Sequence, residues 1–327
     1  MFSSLYKVNK LLFLERTRHA YMDPGDLHSE LHHLRLPEAG IYFRHDAECD
    51  ILSQHIKLPG LSLWINDIFS KKDIILRPFT PIPIQTLHFM FEDSLQTQFR
   101  QQPGYLLEER ESNMFNLFPG LHKIPMSGNK KILSLHINID PSAIPILIRQ
   151  FPVLQFLRET QSAHVNGPVN THPYLINPTC DFLIKQILTC RYTGTQAHSF
   201  IYRCCLDLLL NIAQQHVAST ERMRFSTIIY GASYHQLFKY LETHPHKQHS
   251  VIELAYIFEI PAEQLAYGFL QMFAISVDDF VLMIKMLFVY NRIQSKAFPY
   301  SLIAEVTGYK NVMEMIQLVE NYYNIVL

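Results

Sequence analysis

The sequence predicts an α+β chain: an antiparallel β-barrel or sandwich over residues 1–140, a helical connector over 141–225 and an all-α end over 226–327. Three observations carry this reading. Pro-Gly turn signals concentrate in the first half, period-two apolar patterning runs between them, and beyond about residue 226 Gly and Pro thin out while helix-start chemistry recurs. The chain has 327 residues, 48% hydrophobic and 17% charged. Ordinary domains carry about a quarter charged residues, so this is a core-forming chain in which extensive disorder is excluded.

The first half is punctuated at Leu58 to Gly60, Gln102 to Gly104 and Phe118 to Gly120. Period-two patterning is visible in Leu61, Leu63 and Ile65 and again in Leu133, Leu135, Ile137 and Ile139, with Ser134, His136 and Asn138 on the opposite face, the pattern of half-buried strands. Near the start, the apolar run Leu11 to Leu14 is too short for a secretory segment, and no stretch of eighteen apolar residues follows. A cytoplasmic protein with no membrane partner is expected. Its five cysteines (Cys49, Cys180, Cys190, Cys204 and Cys205) are odd in number and lack metal spacing, so they are expected as reduced, buried thiols.

Past Asp140-Pro141, Ile144 to Glu159 carries a helical stripe interrupted by Pro152, and Thr179 to Thr189 and Ser199 to Val217 read as amphipathic helices. The stretch Arg203 to Leu210 is apolar over much of its circumference, which asks for cover on two sides, from a neighbouring element or from a second copy of the chain. Helices then follow one another from Ser226, with breaks at Thr243 to His249, Glu259 to Pro261, Ala274 to Ser276, Lys296 to Pro299 and Gly308 to Asn311. Ser250 with Glu253 and Asn311 with Glu314 fit capping boxes, Ser276 with Asp279 is the Asp variant, and Gly308 stands where a chain leaving a helix takes a positive φ.

Two helix-turn-helix units are written in tandem. The first uses Ile252, Leu254, Ala255, Phe258, Ile260, Leu265 and Phe269; the second uses Leu302, Ile303, Ala304, Gly308, Tyr309 and Met315. A small Ala before each tight turn lets two helices approach closely. With the linking helix Phe280 to Arg292, the last ninety or so residues resemble the DNA-binding domain of the AraC/XylS transcription regulators, and the Ile-Ala-x-x-x-Gly-aromatic run Ile303 to Tyr309 is the most specific piece. The segments Pro145 to Leu157, Ile187 to Gly194 and Tyr202 to Leu210 resemble more weakly the middle of a pyochelin-type subgroup.

The resemblance implies a cupin-like effector domain, a helical dimerisation segment and a DNA-reading end. Its expected partners are DNA, a small-molecule effector and a second copy of the chain. At exposed second-helix positions it points to Tyr267, Gln271, Lys310, Asn311, Glu314 and Gln317, with Lys285 and Arg292 steadying the unit or a phosphate. Trp64, His88, Phe89, Phe91 and His136 lie on expected strands and are candidates to line the effector pocket; core packing is the plain alternative for each.

Charge runs against the family pattern. Twenty-eight Lys and Arg balance twenty-nine Asp and Glu overall, yet residues 226–327 hold six cations and nine acids. Where the family places cations, this chain has Tyr267, Leu270 and Gln271 around Phe269, then Gln317 and Glu320. DNA affinity draws on phosphate neutralisation. Two readings therefore stand: an effector-responsive DNA-binding regulator, or a helix-turn-helix scaffold retained for ligand sensing or protein interaction without direct DNA binding.

Smaller signals point away from chemistry. His28 and His32 have one-turn spacing, but no third ligand converges on them, so no metal and no cofactor are expected. The histidines at 244, 246 and 249 read as a linker. Without a nucleophile elbow, a phosphate loop or an H-E-x-x-H run, no enzymatic activity is expected.

Overall fold

The computed structural model describes residues 8–97, 104–161, 166–220 and 230–327. The expected domain boundary at 225/226 and most of the Gln102 to Gly104 turn lie outside the described residues. The chain is α+β and divides into two compact units, one formed by Met1–Ile176 with Leu183–Ala213, the other by Asn177–Phe182 with Gln214–Leu327. The segment expected as a separate connector contributes to both.

The strands are β1 (Val8–Phe13), β2 (Gly40–His45), β3 (Cys49–Leu58), β4 (Leu61–Ser70), β5 (Ile74–Thr80), β6 (Ile84–Glu92), β7 (Leu95–Thr97), β8 (Tyr105–Leu107), β9 (Glu111–Leu117), β10 (Gly120–Leu121), β11 (Ile124–Met126), β12 (Lys130–Ile139), β13 (Gly167–Pro168) and β14 (Tyr174–Leu175). The larger sheet runs β13-β9-β6-β12-β4-β3-β2, with β14 also on β9; the smaller joins β1, β10 and β11 to β5, and β7 pairs with β8. All described strand pairs are antiparallel but one. β1 lies parallel to β5, a departure from the expected all-antiparallel sheet, made possible by the long excursion through β2, β3 and β4.

The β3–β4 hairpin closes on Pro59 and Gly60, and Gly60 takes φ +70°, the left-handed conformation such a turn needs. Between the sheets lies an apolar core that includes Leu12, Leu76 and Ile124 from the smaller sheet and Ile68, Ile84 and Ile132 from the larger. The polar side of β12 corrects a sequence expectation: Ser134, His136 and Asn138 are buried, not solvated. They share the inner face with Ile132, so alternation here separates two buried faces, not core from water. On the opposite face Leu63, Leu87, Phe89, Leu135 and Ile137 are also buried.

The helices of the middle segment are α1 (Ile144–Gln150), α2 (Phe156–Gln161), α3 (Pro178–Leu188) and α4 (Gly194–Thr220). Gln85, on the outer side of β6, donates to the Leu157 carbonyl of α2 at 3.0 Å. On α4, Cys204, Cys205, Leu208 and Leu209 are all buried within the single chain, with Leu208 at 0% exposure. This stretch therefore has its cover without a second copy. All five cysteines are buried thiols, and burial pushes the Cys204 and Cys205 thiols up, away from reactivity.

The second unit contains α5 (Gly231–Thr243), α6 (Val251–Ile257), α7 (Ala262–Phe273), α8 (Val277–Ser295), α9 (Tyr300–Val306) and α10 (Val312–Tyr323). Each break falls where the sequence places it. The core gathers Phe238, Phe269, Phe273 and Phe280, whose ring centroids lie 4.4 to 6.4 Å apart. The Phe273 carbonyl, at the open end of α7, accepts from Thr179 Oγ1 and Asn177 Nδ2 at 3.0 and 3.1 Å.

Candidate functional site

In the β-rich unit a cavity of about 60 Å³, measured as the room open to the centre of a water-sized sphere, lies within the sandwich. A single water needs roughly 10–15 Å³ on that measure, so the space suits a small organic group. Aliphatic side chains such as Leu12, Leu76, Leu117 and Ile132 form most of the wall, and Thr86, His88, Ser134 and His136 form a polar pole; among the described residues neither Lys nor Arg lines it.

Register explains the pole. His88 and His136 stand directly opposite on β6 and β12, and their rings meet edge to face with centroids 4.1 Å apart and Nδ1 atoms 3.2 Å apart. One Nδ1 donates to the other, which requires a neutral acceptor ring. His136 Nε2 pairs with Ser134 Oγ at 3.3 Å. Burial lowers the pKa of His88 to about 4 and that of His136 well below its ordinary value, so both rings are neutral near pH 7. His88 Nε2 and Thr86 Oγ1 are buried without a hydrogen-bond partner among the described residues. An unpaired buried polar group costs about 1–3 kcal/mol, which a hydrogen-bonding guest would relieve.

Of the sequence candidates, His88 and His136 line this cavity. Phe89 lies at the opposite parity of β6, on the face away from it, and Phe91 is the half-buried residue skipped where the register against β12 shifts, outside the cavity wall. Trp64 is on the inner face but borders a neighbouring cavity with Leu12, Tyr42 and Ser53. Thr86 and Ser134 were legible only as strand residues, because sequence alternation does not tell which face is the lumen.

In the helical unit the two helix-turn-helix units share one turn geometry. Ile260 N donates to Ala255 O at 3.0 Å, and Tyr309 N donates to Ala304 O at 2.9 Å. Four residues after each Ala the backbone turns left-handed, φ +53° at Glu259 and φ +72° at Gly308. Leu254, Ala255 and Leu265 are buried in the first unit, and Ile303, Ala304 and Met315 in the second. Helix α8 links them. Its Ser276 cap is made, Asp279 N donating to Ser276 Oγ at 3.0 Å, and Glu314 N donates likewise to Asn311 Oδ1 at 2.9 Å. Ser250 caps α6 by position but accepts no such bond. An element missed in the sequence is Gly268, where a Cβ would fall 2.1 Å from the Tyr234 hydroxyl; α5 and α7 close together there because Gly has no side chain.

The DNA candidates fall into two groups. Tyr267, Lys310 and Gln317 are exposed, and Gln271 is half-buried. The rest are engaged within the unit. Asn311 caps α10, the Glu314 carboxylate accepts from Lys310 N at 2.7 Å, Lys285 Nζ lies 4.3 Å from the Tyr309 ring centre, and the Arg292 guanidinium lies 5.0 and 5.1 Å from Phe288 and Phe298. Burial lowers the Lys285 pKa. Neither α7 nor α10 contains a Lys or Arg. Of the acids, Glu263 is exposed, while Glu320 accepts from Leu327 N at 2.7 Å.

No protein-family model and no curated protein matches the chain. Among solved structures it is similar to ToxT from Vibrio cholerae, with 10% identity over 82% of this chain and 96% of that one at a TM-score of 0.33. It is also similar to the AraC-like transcriptional activator CuxR, with 10% identity over 80% of this chain and 89% of that one at a TM-score of 0.30. Likenesses this slight leave the functional reading to the chain's own residues. Among the described residues no helix is long and apolar enough to cross a membrane.

Proposed function

We propose that the chain is an effector-responsive transcription regulator of the AraC/XylS type, acting as a cytoplasmic homodimer. The observation that carries this reading is the tandem of turns at Ala255 to Ile260 and Ala304 to Tyr309, matched in hydrogen bond and in the residue of positive φ and joined by a single helix. Two such units on one linker present α7 and α10 as a pair of second helices, the elements a helix-turn-helix protein lays in successive major grooves. Tyr267, Gln271, Lys310 and Gln317 are the side chains left to meet DNA; Asn311 and Glu314 shape the start of α10, and Lys285 and Arg292 stiffen the unit.

The effector is a small, largely apolar, uncharged molecule with one hydrogen-bonding group, set against His88 Nε2 and Thr86 Oγ1. A carboxylate is disfavoured because among the described residues no Lys or Arg lines the cavity to balance it. Binding of the intact protein to the DNA upstream of its own gene, followed by fluorescence anisotropy over a salt series, tests the reading. Absence of binding even at low salt would overturn it.

A second reading is a protein-interaction module on the same scaffold. It is favoured by the apolar side chains the first helices expose, Ile252 at 76% and Tyr256 at 86%, with Met313 at 73% on α10.

A further inference from the structure

Away from the apolar cavity, the β-rich unit brings together three side chains distant in sequence. Glu15 follows β1, His19 lies four residues beyond it, and His55 sits near the end of β3. One donor atom from each falls within 4.8 Å of the others. Glu15 and His55 are buried and His19 is half-buried.

Each is held and aimed. The Glu15 carboxylate accepts from Ser62 Oγ and, at 3.2 Å, from Asn138 Nδ2, while its other oxygen accepts from Arg16 N at 2.9 Å. The rings of His19 and His55 stack at 4.5 Å, and Tyr21 packs beside both. The Tyr21 hydroxyl lies 2.7 Å from His55 Nδ1 and fixes that ring. This leaves His55 Nε2 and His19 Nδ1, both buried and neither with a partner among the described residues. Two orphaned imidazole nitrogens beside a buried carboxylate make a costly arrangement for a structural core, which ordinarily pairs such atoms.

We propose that Glu15, His19 and His55 form a binding site for a divalent first-row transition metal ion, with the Tyr21 hydroxyl orienting His55 from behind. The donor set is two imidazoles and one carboxylate, the chemistry that zinc and iron(II) accept with open positions left over. An ion bonded at about 2.0–2.2 Å places its donors roughly 3.3 Å apart. The three side chains then close by at most about 1.5 Å, a movement the half-buried His19 can supply by rotamer change. The adjoining cavity, bordered by Arg16, Lys57 and Asp140, gives room for water or a small ligand at the open positions. The nearby cations do not occupy the site: the Arg16 guanidinium is held over the Phe13 and Tyr42 rings at 4.2 and 4.6 Å, and Lys57 is exposed.

The protein carries its own reporter. Trp64 is the single tryptophan of the chain, and its ring stacks on His55 with centroids 4.3 Å apart. Zn²⁺ added to the full-length protein stripped of metal should bind at one ion per chain by equilibrium dialysis, with a saturable change in Trp64 fluorescence over the same range. His19→Gln and Glu15→Gln should each weaken binding by more than 100-fold, and Tyr21→Phe by about 10- to 100-fold as loss of an orienting partner does. The surface variant His33→Gln should leave it unchanged. His55→Gln alters a buried position, so the half-buried His19 carries the test, with circular dichroism confirming the fold of each variant. No saturable Zn²⁺ binding by the folded protein would overturn the proposal. So would binding that His19→Gln and Glu15→Gln leave intact, since the ion would then sit on other histidines. Neither result bears on DNA binding or on the apolar cavity.

Discussion

If this chain binds DNA, the binding will be unusually insensitive to salt. Each phosphate contacted by a cation contributes about −0.9 to the slope of log K against log salt. With no Lys or Arg on α7 or α10, the cations available near that face are Lys310, which is exposed, and Lys285 and Arg292, which are stacked on aromatic rings. The expected slope is therefore about −1 per helix-turn-helix pair if Lys310 acts alone and about −3 if all three reach phosphates, doubling for a bound dimer. Proteins that make 6–10 phosphate contacts show slopes of roughly −5 to −9 on the same rule. Glu263→Lys, on an exposed position of α7, should steepen the slope by about one per unit and raise affinity. Anisotropy titrations on one duplex at four or five salt concentrations measure all of this. A slope steeper than about −7 for the parent protein, or no response to Glu263→Lys, would refute the placement of α7 and α10 against the duplex.

The two turns should respond oppositely to paired substitutions. Glu259→Gly relieves a left-handed residue that costs about 1–2 kcal/mol, against about 0.5–1 kcal/mol for glycine's freedom in the unfolded chain, for a net gain of about 0.5–1 kcal/mol in urea unfolding. Gly308→Ala should lose at least as much, because its Cβ also meets the Gln248 amide, and a loss of stability in Glu259→Gly would refute the equivalence. For His88, the folded pKa of about 4 lies below the unfolded 6.5, so the unfolded state binds the proton first. Its contribution is complete above pH 6.5 and is lost as pH falls toward 4, by about 3 kcal/mol; the urea midpoint should drop over that window, less steeply in His88→Gln. The paired replacement His88→Leu with His136→Leu should be near neutral, whereas His136→Leu alone strands His88 Nδ1 and costs about 1–3 kcal/mol in the same assay. Leu208→Asp should unfold the β-rich unit, seen as loss of near-ultraviolet dichroism; a folded monomer instead would return this helix to the role of a dimer seam.

Local chemistry made the helical unit legible. Caps, breaks and small residues act within a few positions of one another, so Ala304, Gly308 and Asn311 predict their own turn, and the start of α10 follows. The β-rich unit was legible as strands but not as an interior. Ser134, His136 and Asn138 read as a solvent face because period-two patterning reports only that the two sides differ; the second sheet that buries them is assembled from residues 8–13, 74–80, 120–121 and 124–126. The same ambiguity put Phe89 and Phe91 beside His88 among the candidates, although neighbours on a strand point oppositely. Leu208 shows a third limit: an apolar helix demands cover, and its sequence does not say whether that cover is its own chain or another. Glu15, His19 and His55 converge only through the pairing of β3 with β4 and the course of the chain after β1.

The inner face of the larger sheet joins these threads. His55, Trp64, His136 and His88 are successive cross-strand neighbours on β3, β4, β12 and β6. The immediate same-face neighbours are Ser53, Asn66 and Ser134 on one side of this row and Ser62, Asn138 and Thr86 on the other, so the sequence departs from ordinary apolar packing across a band of the inner face, beyond which Ile51, Ile68 and Ile132 restore an apolar core. Buried imidazoles stabilise a fold less well than isoleucine unless every nitrogen is paired, and in this row His55 Nε2, Trp64 Nε1 and His88 Nε2 have no partner among the described residues. At one end His88 Nε2 borders the apolar cavity; at the other His55 Nε2 stands beside Glu15 and His19. Unpaired imidazole nitrogens at the two ends of a buried polar row, each beside a cavity, are the arrangement expected of a domain that gives up some stability of the empty fold for affinity.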